Sequence, residues 1–402
     1  MKSLRWLVFS ALLVALPARA GNNTSTLPTG TFVIDTAYFD TTTTIRYDDS
    51  RTARPLMDGL QRYEPGGGLQ GTITANPYVK YQLFVPQLMY GVTDDLTLVI
   101  AMPTVVHTTI RPNLGWIPGD YQNNLGRPYS ESDFWQWAKS MGQDKPGDFS
   151  GNNWTPADMV IGVRYNLSKL KIFDDNGLRA AVSGQFALPT GTPADPENLV
   201  AAGTTVWDLN NYGDIELHFA LEKPFKWDDF TRLNFGIDLH YAAFLPHTYV
   251  SPTGSKEPLL MTFAPYIGPT YSIDPGDQFG GTVLVEGMPL IGPTLSTWMN
   301  QHDPAKSAQW PALVTLTASL KYAHVNQSTW TSQSAMWDWD HNKLWLPGDK
   351  STVRFGADLS LMRLGLPLQL YGAYLTQDLI PGRNSRATDV WMGGGRLILK
   401  FW

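Results

Sequence analysis

Asp214, Glu216, His218 and Glu222 stand at even positions of one stretch, separated by Ile215, Leu217, Phe219 and Leu221. Arg232, Asn234, Asp238 and His240 do the same against Leu233, Phe235, Ile237, Leu239 and Tyr241. Arg164, Arg179, Arg354 and Asp358 hold equivalent places in three further stretches. Such groups could form a charged constriction that selects solutes. They could equally be cross-strand ion pairs in a hydrated wall, each worth about 0.2–1 kcal/mol, and an imidazole-dependent hydrolase is a third use. Around a turn centred near Trp227, Glu222 would face Arg232 and Asp214 would face His240, with Glu216 and Asp238 between them. No nucleophile or nucleotide motif accompanies them. Gly66-Gly67-Gly68 leads into no Lys-Ser/Thr, and neither Gly-x-Ser-x-Gly nor His-Glu-x-x-His occurs. His107, His218, His240, His247, His302, His324 and His341 lack ligand spacing. No catalytic residue, metal or cofactor is expected.

The elements that must position these residues have a period of two. A strand sends alternate side chains to opposite faces, so the polar set and the apolar set separate. The same alternation runs through Asp158–Leu167, Arg179–Leu188 and Val353–Leu361. Segments of nine or ten residues match a tilted membrane-crossing strand of ~9–11 residues better than the ~5–6 of soluble sheets. Their apolar faces end on Tyr90, Tyr165, Phe225, Tyr241, Tyr322 and Phe401, where interfacial girdles belong.

The expected fold is all-β, a closed antiparallel transmembrane barrel with short periplasmic turns and long external loops. Short connections fall at Val92–Asp95, Ser168–Asn176, Lys223–Asp229 and Asp274–Gln278, and around Gly365. Long ones fall at Tyr47–Ala75, Arg111–Pro156, Thr192–Asn211, His247–Pro258, Asn326–Lys350 and Leu379–Thr388. About thirteen strands are evident, and a single-chain barrel needs an even number. Drawing one more from Pro293–Asn300 gives fourteen; twelve is the alternative. The eleven charged residues and imidazoles named at the outset, Arg164, Arg179, Asp214, Glu216, His218, Glu222, Arg232, Asp238, His240, Arg354 and Asp358, would then line the lumen.

The N-terminus and composition agree. Lys2 and Arg5, the apolar run Trp6–Leu16 and Ala18-Arg19-Ala20 read as a cleavable secretory signal, residues 1–20. Residues 21–402 are expected to form one barrel with no separate soluble domain. Aromatic residues make up 12% of the chain and charged residues only 16%, against about 25% charged in soluble domains. With Cys 0 there is no disulfide framework. Losing the three cations of the signal takes the net charge from −6 to −9, which does not favour nucleic acid.

Four runs carry a family resemblance: Leu27-Pro28-Thr29-Gly30-Thr31-Phe32, Tyr90–Leu98 leading into Met102-Pro103, Asp158–Tyr165, and Phe186-Ala187-Leu188-Pro189-Thr190-Gly191. The mature chain resembles the outer-membrane transporter family known as the "MetA-pathway of phenol degradation", related in character to fatty-acid and aromatic-hydrocarbon channels. These motifs are hairpin chemistry, so they specify architecture better than substrate. The resemblance implies passive uptake of small hydrophobic or aromatic compounds through the outer membrane. A general diffusion pore for hydrophilic solutes is the alternative, ahead of an outer-membrane enzyme or a structural barrel. The implied partners are outer-membrane lipid, small hydrophobic solutes and the barrel-assembly machinery. That machinery would read Leu397, Leu399 and Phe401, with Trp402 one residue beyond.

Two further expectations concern the route. Trp135 and Trp137, on a short helix within Ser132–Met141, and Trp330, Trp337, Trp339 and Trp345 could capture an apolar ligand outside the barrel or rest on lipid headgroups. Pro265, Gly268, Pro269, Gly280, Gly281, Gly287, Pro289, Gly292 and Pro293 crowd strands 8 to 10 of the fourteen. Proline cannot donate to a sheet and glycine weakens one, so a bulged wall is expected between Pro265 and Pro293, and the resemblance to hydrophobic channels implies that it opens laterally; the alternative is that the prolines only shorten strands at their ends.

Overall fold

In the computed structural model the period-two segments become strands of one antiparallel barrel. It is described for residues 24–56, 60–64, 66–122, 126–140, 144–145, 147–192, 213–226, 231–250, 270–289, 313–332, 347–364, 366–377 and 379–400. Twelve strands make the wall. They are β1 (Thr31–Tyr47), β2 (Tyr78–Thr93), β3 (Leu96–Ala101 and Thr104–Arg111), β4 (Phe149–Pro156 and Met159–Asn166), β5 (Arg179–Leu188) and β6 (Asp214–Lys226). β7 (Thr231–Phe244), β8 (Gln278–Pro289), β9 (Val314–Val325), β10 (Gly348–Ser360), β11 (Leu368–Thr376) and β12 (Ser385–Lys400) complete it. Each pairs with the next, and β12 returns to β1 from Thr31↔Lys400 to Tyr47↔Ser385, so the wall has no free edge. β3 breaks at Met102-Pro103, because Pro103 has no N–H for the sheet. Met102 N→Pro86 O at 3.1 Å and Ala157 N→Pro103 O at 2.8 Å carry the bonding across that break and the matching one in β4.

The count is therefore twelve, the alternative, and not fourteen. Thr270–Asp274 is a strand, but it pairs with His247–Val250 and Thr329–Ser332 in a small sheet outside the wall. Alternation alone cannot distinguish the two settings. β8 pairs directly with β9, from Gln278↔Val325 to Gly287↔Leu316, leaving no place for a strand from Pro293–Asn300, which lies outside the described residues. Asp274–Gln278 consequently joins the outer sheet to β8 on the long-loop side, which we take as external, and is not a periplasmic turn. On the periplasmic side are Asp94-Asp95, 167–178, 227–230, 290–313 and 361–367. Of these, 290–313 is the long one, and all of it but Leu313 lies outside the described residues.

The wall is also continuous where a bulge was expected. β8 keeps unshifted register with β7, Thr231↔Pro289 to Ala242↔Gln278, and with β9. Gly280 is there to let strands approach: a Cβ would strike the Tyr322 carbonyl and the His240 ring. Pro289 only ends the strand, and 265–269 and 292–293 lie outside the described residues. The register shifts within the barrel sit instead at Thr43/Ile45, Gln82/Leu83, Gly91/Thr93 and Val105/His107.

Facing follows the alternation. Leu217, Phe235 and Leu239 are half exposed on the outside, whereas Glu216 is completely buried on the inside. Tyr90, Tyr165, Phe225, Tyr241 and Tyr322 are exposed outward as a girdle requires, and Phe401 lies outside the described residues. The β6–β7 register differs from the symmetric turn near Trp227. Glu222 faces Gly236, Asp214 faces Phe244 and His218 faces His240. Pairing continues to Lys226↔Arg232, so the turn is centred two residues later. Opposite partners shift by four, an even number, and every residue keeps its face.

Candidate functional site in the barrel interior

All eleven residues expected in the lumen occupy inward register positions, but they do not form one ring. The densest group spans β5–β8. His218 lies 3.0 Å from Glu216 on its own strand and 2.7 Å from Asp238 across the β6–β7 pair. The His218 and His240 rings stack with centroids 5.7 Å apart. Gln278 Nε2 meets His240 Nε2 at 3.3 Å, and the Gln185 amide donates to Glu216. Nearer the periplasm Asn234 donates to Glu286 at 2.7 Å, both buried. Lys321 of β9 stands in the same inward row as Asp238, across Thr282 of β8. Asp214 is buried at the outer end of β6. Arg179 stands opposite Glu222 in register but is exposed at the periplasmic end. Arg232 occupies the inward position beside Lys226 and Met288. Among the described residues no group of three or more His, Cys, Asp or Glu could hold a metal ion.

A second group, which the sequence reading missed apart from Arg354 and Asp358, sits on β10–β1. Arg396 Nε donates to Asp35 at 2.8 Å, and the Tyr371 hydroxyl donates to the other oxygen at 2.7 Å. The Arg396 guanidinium lies 4.5 Å over the Tyr371 ring. That ring rests on Gly394, where a Cβ would collide with it. The Gly393–Gly395 run before Arg396 was the available signal, since bare backbone in a strand marks a close approach.

Above this group the inner wall turns apolar. Ala37 and Phe39 of β1, Val79, Tyr81, Leu83 and Val85 of β2, Val105 of β3, Ala373 and Leu375 of β11, and Val390 and Met392 of β12 form one buried cluster. Leu56, from the first external loop, packs into it. Every one of these strand residues is inward by register. Burying a Leu- or Phe-sized side chain is worth about 1.5–3 kcal/mol. This strip is therefore packed as a core, set against the charged strip of β5–β8.

The chain before β1 crosses the periplasmic mouth. The Thr24 hydroxyl donates to Glu222 at 2.8 Å and its amide at 3.3 Å. Arg164 reaches the Ser25 carbonyl at 3.4 Å and Asn166 the Thr24 carbonyl at 3.3 Å. Leu27 N bonds Thr97 and Thr29 N bonds Asp94, while Gly91 leaves room for the Pro28 carbonyl. The strap runs from β1 past β3 and β4 to β6, roughly half the circumference away.

Outside, the helix α1 (Glu131–Ser140) forms where an amphipathic segment was expected. Ser130 and Asp133 cap each other, Asp133 N→Ser130 Oγ at 3.2 Å and Ser130 N→Asp133 Oδ2 at 2.8 Å. Arg127 pairs bidentately with Asp133 at 2.6 and 2.8 Å and, with Ser130, holds that carboxyl well below the usual carboxylate range. Trp116 and Trp137 flank Phe134, both with centroids 5.6 Å away, and Arg62 lies 3.4 Å over the Trp137 ring. Trp135 donates to Glu131, and Trp330 pairs with Ile273 in the outer sheet. The Trp116, Phe134, Trp135 and Trp137 rings thus pack against one another within the loop. Trp337, Trp339 and Trp345 lie outside the described residues.

A closed barrel with an apolar outer belt and a largely polar interior is the architecture of bacterial outer-membrane proteins, and that is the compartment of this chain. No family model matches the sequence, and no curated protein matches it. Among solved structures the fold is similar to the COG4313 outer membrane channel from Pseudomonas putida F1. The TM-score is 0.50 at 9% identity, covering 95% of this chain and 100% of that one. The translocator domain of the autotransporter NalP from Neisseria meningitidis matches at 0.40 and 9%, covering 98% and 96%. The CymD monoaromatic hydrocarbon channel matches at 0.33 and 8%, covering 93% and 90%.

Proposed function

We propose that this barrel is a passive outer-membrane channel for small hydrophobic or aromatic compounds. The supporting observation is the inner apolar strip of β11, β12, β1, β2 and β3: its side chains are buried, with Leu56 packed against them, so one side of the interior is apolar where the wall of a hydrated pore is polar. The charged strip opposite would orient a polar substituent and exclude solutes that cannot satisfy it. The strap across the periplasmic mouth lengthens the path that a hydrophilic solute must take through polar contacts. Its Glu222, Arg164 and Asp94 anchors hold it at that end of the barrel.

The general diffusion pore is the second reading, favoured by Glu216, His218, Asp238 and His240 on β6 and β7. Proteoliposomes separate the two. On the first reading a labelled aromatic compound equilibrates faster than in protein-free vesicles, and sugars do so weakly. Rapid sugar-driven swelling with no acceleration of the aromatic would overturn it in favour of the second.

A further inference from the structure

The outer surface changes character partway up one side of the barrel. Between Phe32 and Tyr38 the outward positions of β1 read Phe32, Ile34, Thr36, Tyr38, and their neighbours on β2 are Tyr90, Leu88, Pro86 and Phe84. The next outward row is Tyr374, Trp391, Asp40, Gln82, His107 and Asn152, in register from β11 through β12, β1, β2 and β3 to β4. The row above runs from Asp389 through Thr42, Lys80 and Thr109 to Ser150. These side chains bond laterally. Lys80 meets Asp40 at 2.8 Å, and Gln82 donates to the same carboxylate at 3.0 Å. His107 contacts Asn152 at 2.7 Å and Thr109 at 3.1 Å, and Tyr374 donates to Asp389 at 2.8 Å. Among the described residues the outward face of β5–β8 shows no such rows within its strands: Ile215, Tyr241 and Phe279 remain exposed near the outer ends.

Height identifies what surrounds these rows. Eight residues separate Phe32 from Asp40; at ~3.4 Å each and a tilt of ~35–45° that is about 20 Å. The apolar band of such barrels is ~25 Å tall. The Asp40 row thus lies about 5 Å short of the end of such a band and the Thr42 row at its end, continuous with the lipid-facing belt. Their chemistry is narrow. One exposed aromatic, Trp391 at 65%, packed beside Tyr374 with centroids 4.6 Å apart, adjoins planar Asp, Gln, His and Asn groups on the same face of the sheet. An aromatic face covers the C–H side of a sugar ring, and planar amides and carboxylates pair with its vicinal hydroxyls.

We propose that this six-strand face binds the saccharide headgroup of a membrane glycolipid in the outer leaflet. The test uses the full chain in detergent, with wild type beside Trp391→Ala/Gln82→Ala/Asn152→Ala. Each is incubated with glycolipid bearing its core sugars, with the same lipid stripped of sugars, and with phospholipid, and bound lipid is quantified after gel filtration. Wild type should retain the sugar-bearing glycolipid several-fold over both other lipids, and the triple variant should lose that preference. Equal retention of the stripped lipid, or an unchanged preference in the variant, would overturn the idea. So would an effect of the variant confined to particle mass, which would mark the face as a contact between two copies. Heat-dependent gel mobility reports whether the variant has closed its barrel. Trp391→Ala alone, which removes no hydrogen bond in these rows, should weaken the preference in the same direction.

Discussion

The two sides of the barrel apply the same alternation with opposite sign. On β5–β8 the interior is charged, with Glu216, His218, Asp238, His240 and Glu286, and the exterior is Leu217, Phe235, Leu239 and Val283. On the outer parts of β11, β12, β1, β2 and β3 the interior is Phe39, Tyr81, Leu83, Val85, Val105 and Met392, and the exterior is Asp40, Lys80, Gln82 and His107. Period two fixes which residues share a face, not which face is wet. The first side is a membrane wall surrounding a polar lumen. The second is, in its outer portion, a sheet packed like that of a water-soluble protein, with its core turned into the barrel.

The contrast can be broken most forcefully at the ion pair beneath the apolar strip. Asp35→Ala leaves Arg396 buried without its carboxylate, and ~3–5 kcal/mol of stability should be lost. Glu216→Ala, among polar neighbours, should cost about 1–3 kcal/mol. Comparing refolding midpoints in urea checks both; equal losses would erase the distinction. Leu83→Ala comes next. It empties a fully buried site, and a loss of ~2–5 kcal/mol is expected, whereas the half-exposed Phe235→Ala should lose much less in the same titration. Third, Leu239→Arg and Gln82→Arg both place a cation on the outer surface. The first should impair assembly by ~2–4 kcal/mol if it lies near the midplane, and the second should stay within ~0.5 kcal/mol. Similar yields of heat-modifiable barrel for the pair would mean that the membrane boundary is misplaced.

The smallest effect belongs to the loop above. The Asp133 carboxyl is depressed by Arg127 and Ser130, so its contribution is complete above the ordinary Asp range, near ~3.9. It fades only as pH falls below that range. Protease protection of α1 should thus persist from pH 7 to 5 and decline in stronger acid, and Asp133→Asn should show reduced protection throughout. A wild-type loop opening between pH 7 and 5 would exclude this pairing as its fastening.

Most of the architecture was legible in the sequence because alternation survives errors of even size. The β6–β7 register moved by four residues, yet Glu216, His218 and Asp238 stayed inside. Strand number was harder, since Thr270–Asp274 alternates like a wall strand while pairing outside the wall. The glycines of β8 pointed to weakness when read one strand at a time. Gly280 proves to be a tight contact only once His240 and Tyr322 stand beside it. The apolar strip was hidden for a similar reason. Val79, Tyr81, Leu83 and Val85 alternate with Lys80, Gln82 and Phe84 whichever way the strand faces, and only barrel closure decides. Asp35, Arg396 and Tyr371 are brought together by the β12–β1 junction, which joins the two ends of the chain.

That junction also sets a schedule. The strap precedes β1 in synthesis, yet Thr24 bonds Glu222, 198 residues later, and β1 itself waits for β12. Loop-closure entropy rises slowly with length, so the delay costs little free energy, but it fixes an order of events. The strap can be seated only after β6 exists, and β1 is fully paired only when β12 arrives. Threading the mouth and sealing the wall are therefore late, linked steps, completed from the two ends of one polypeptide.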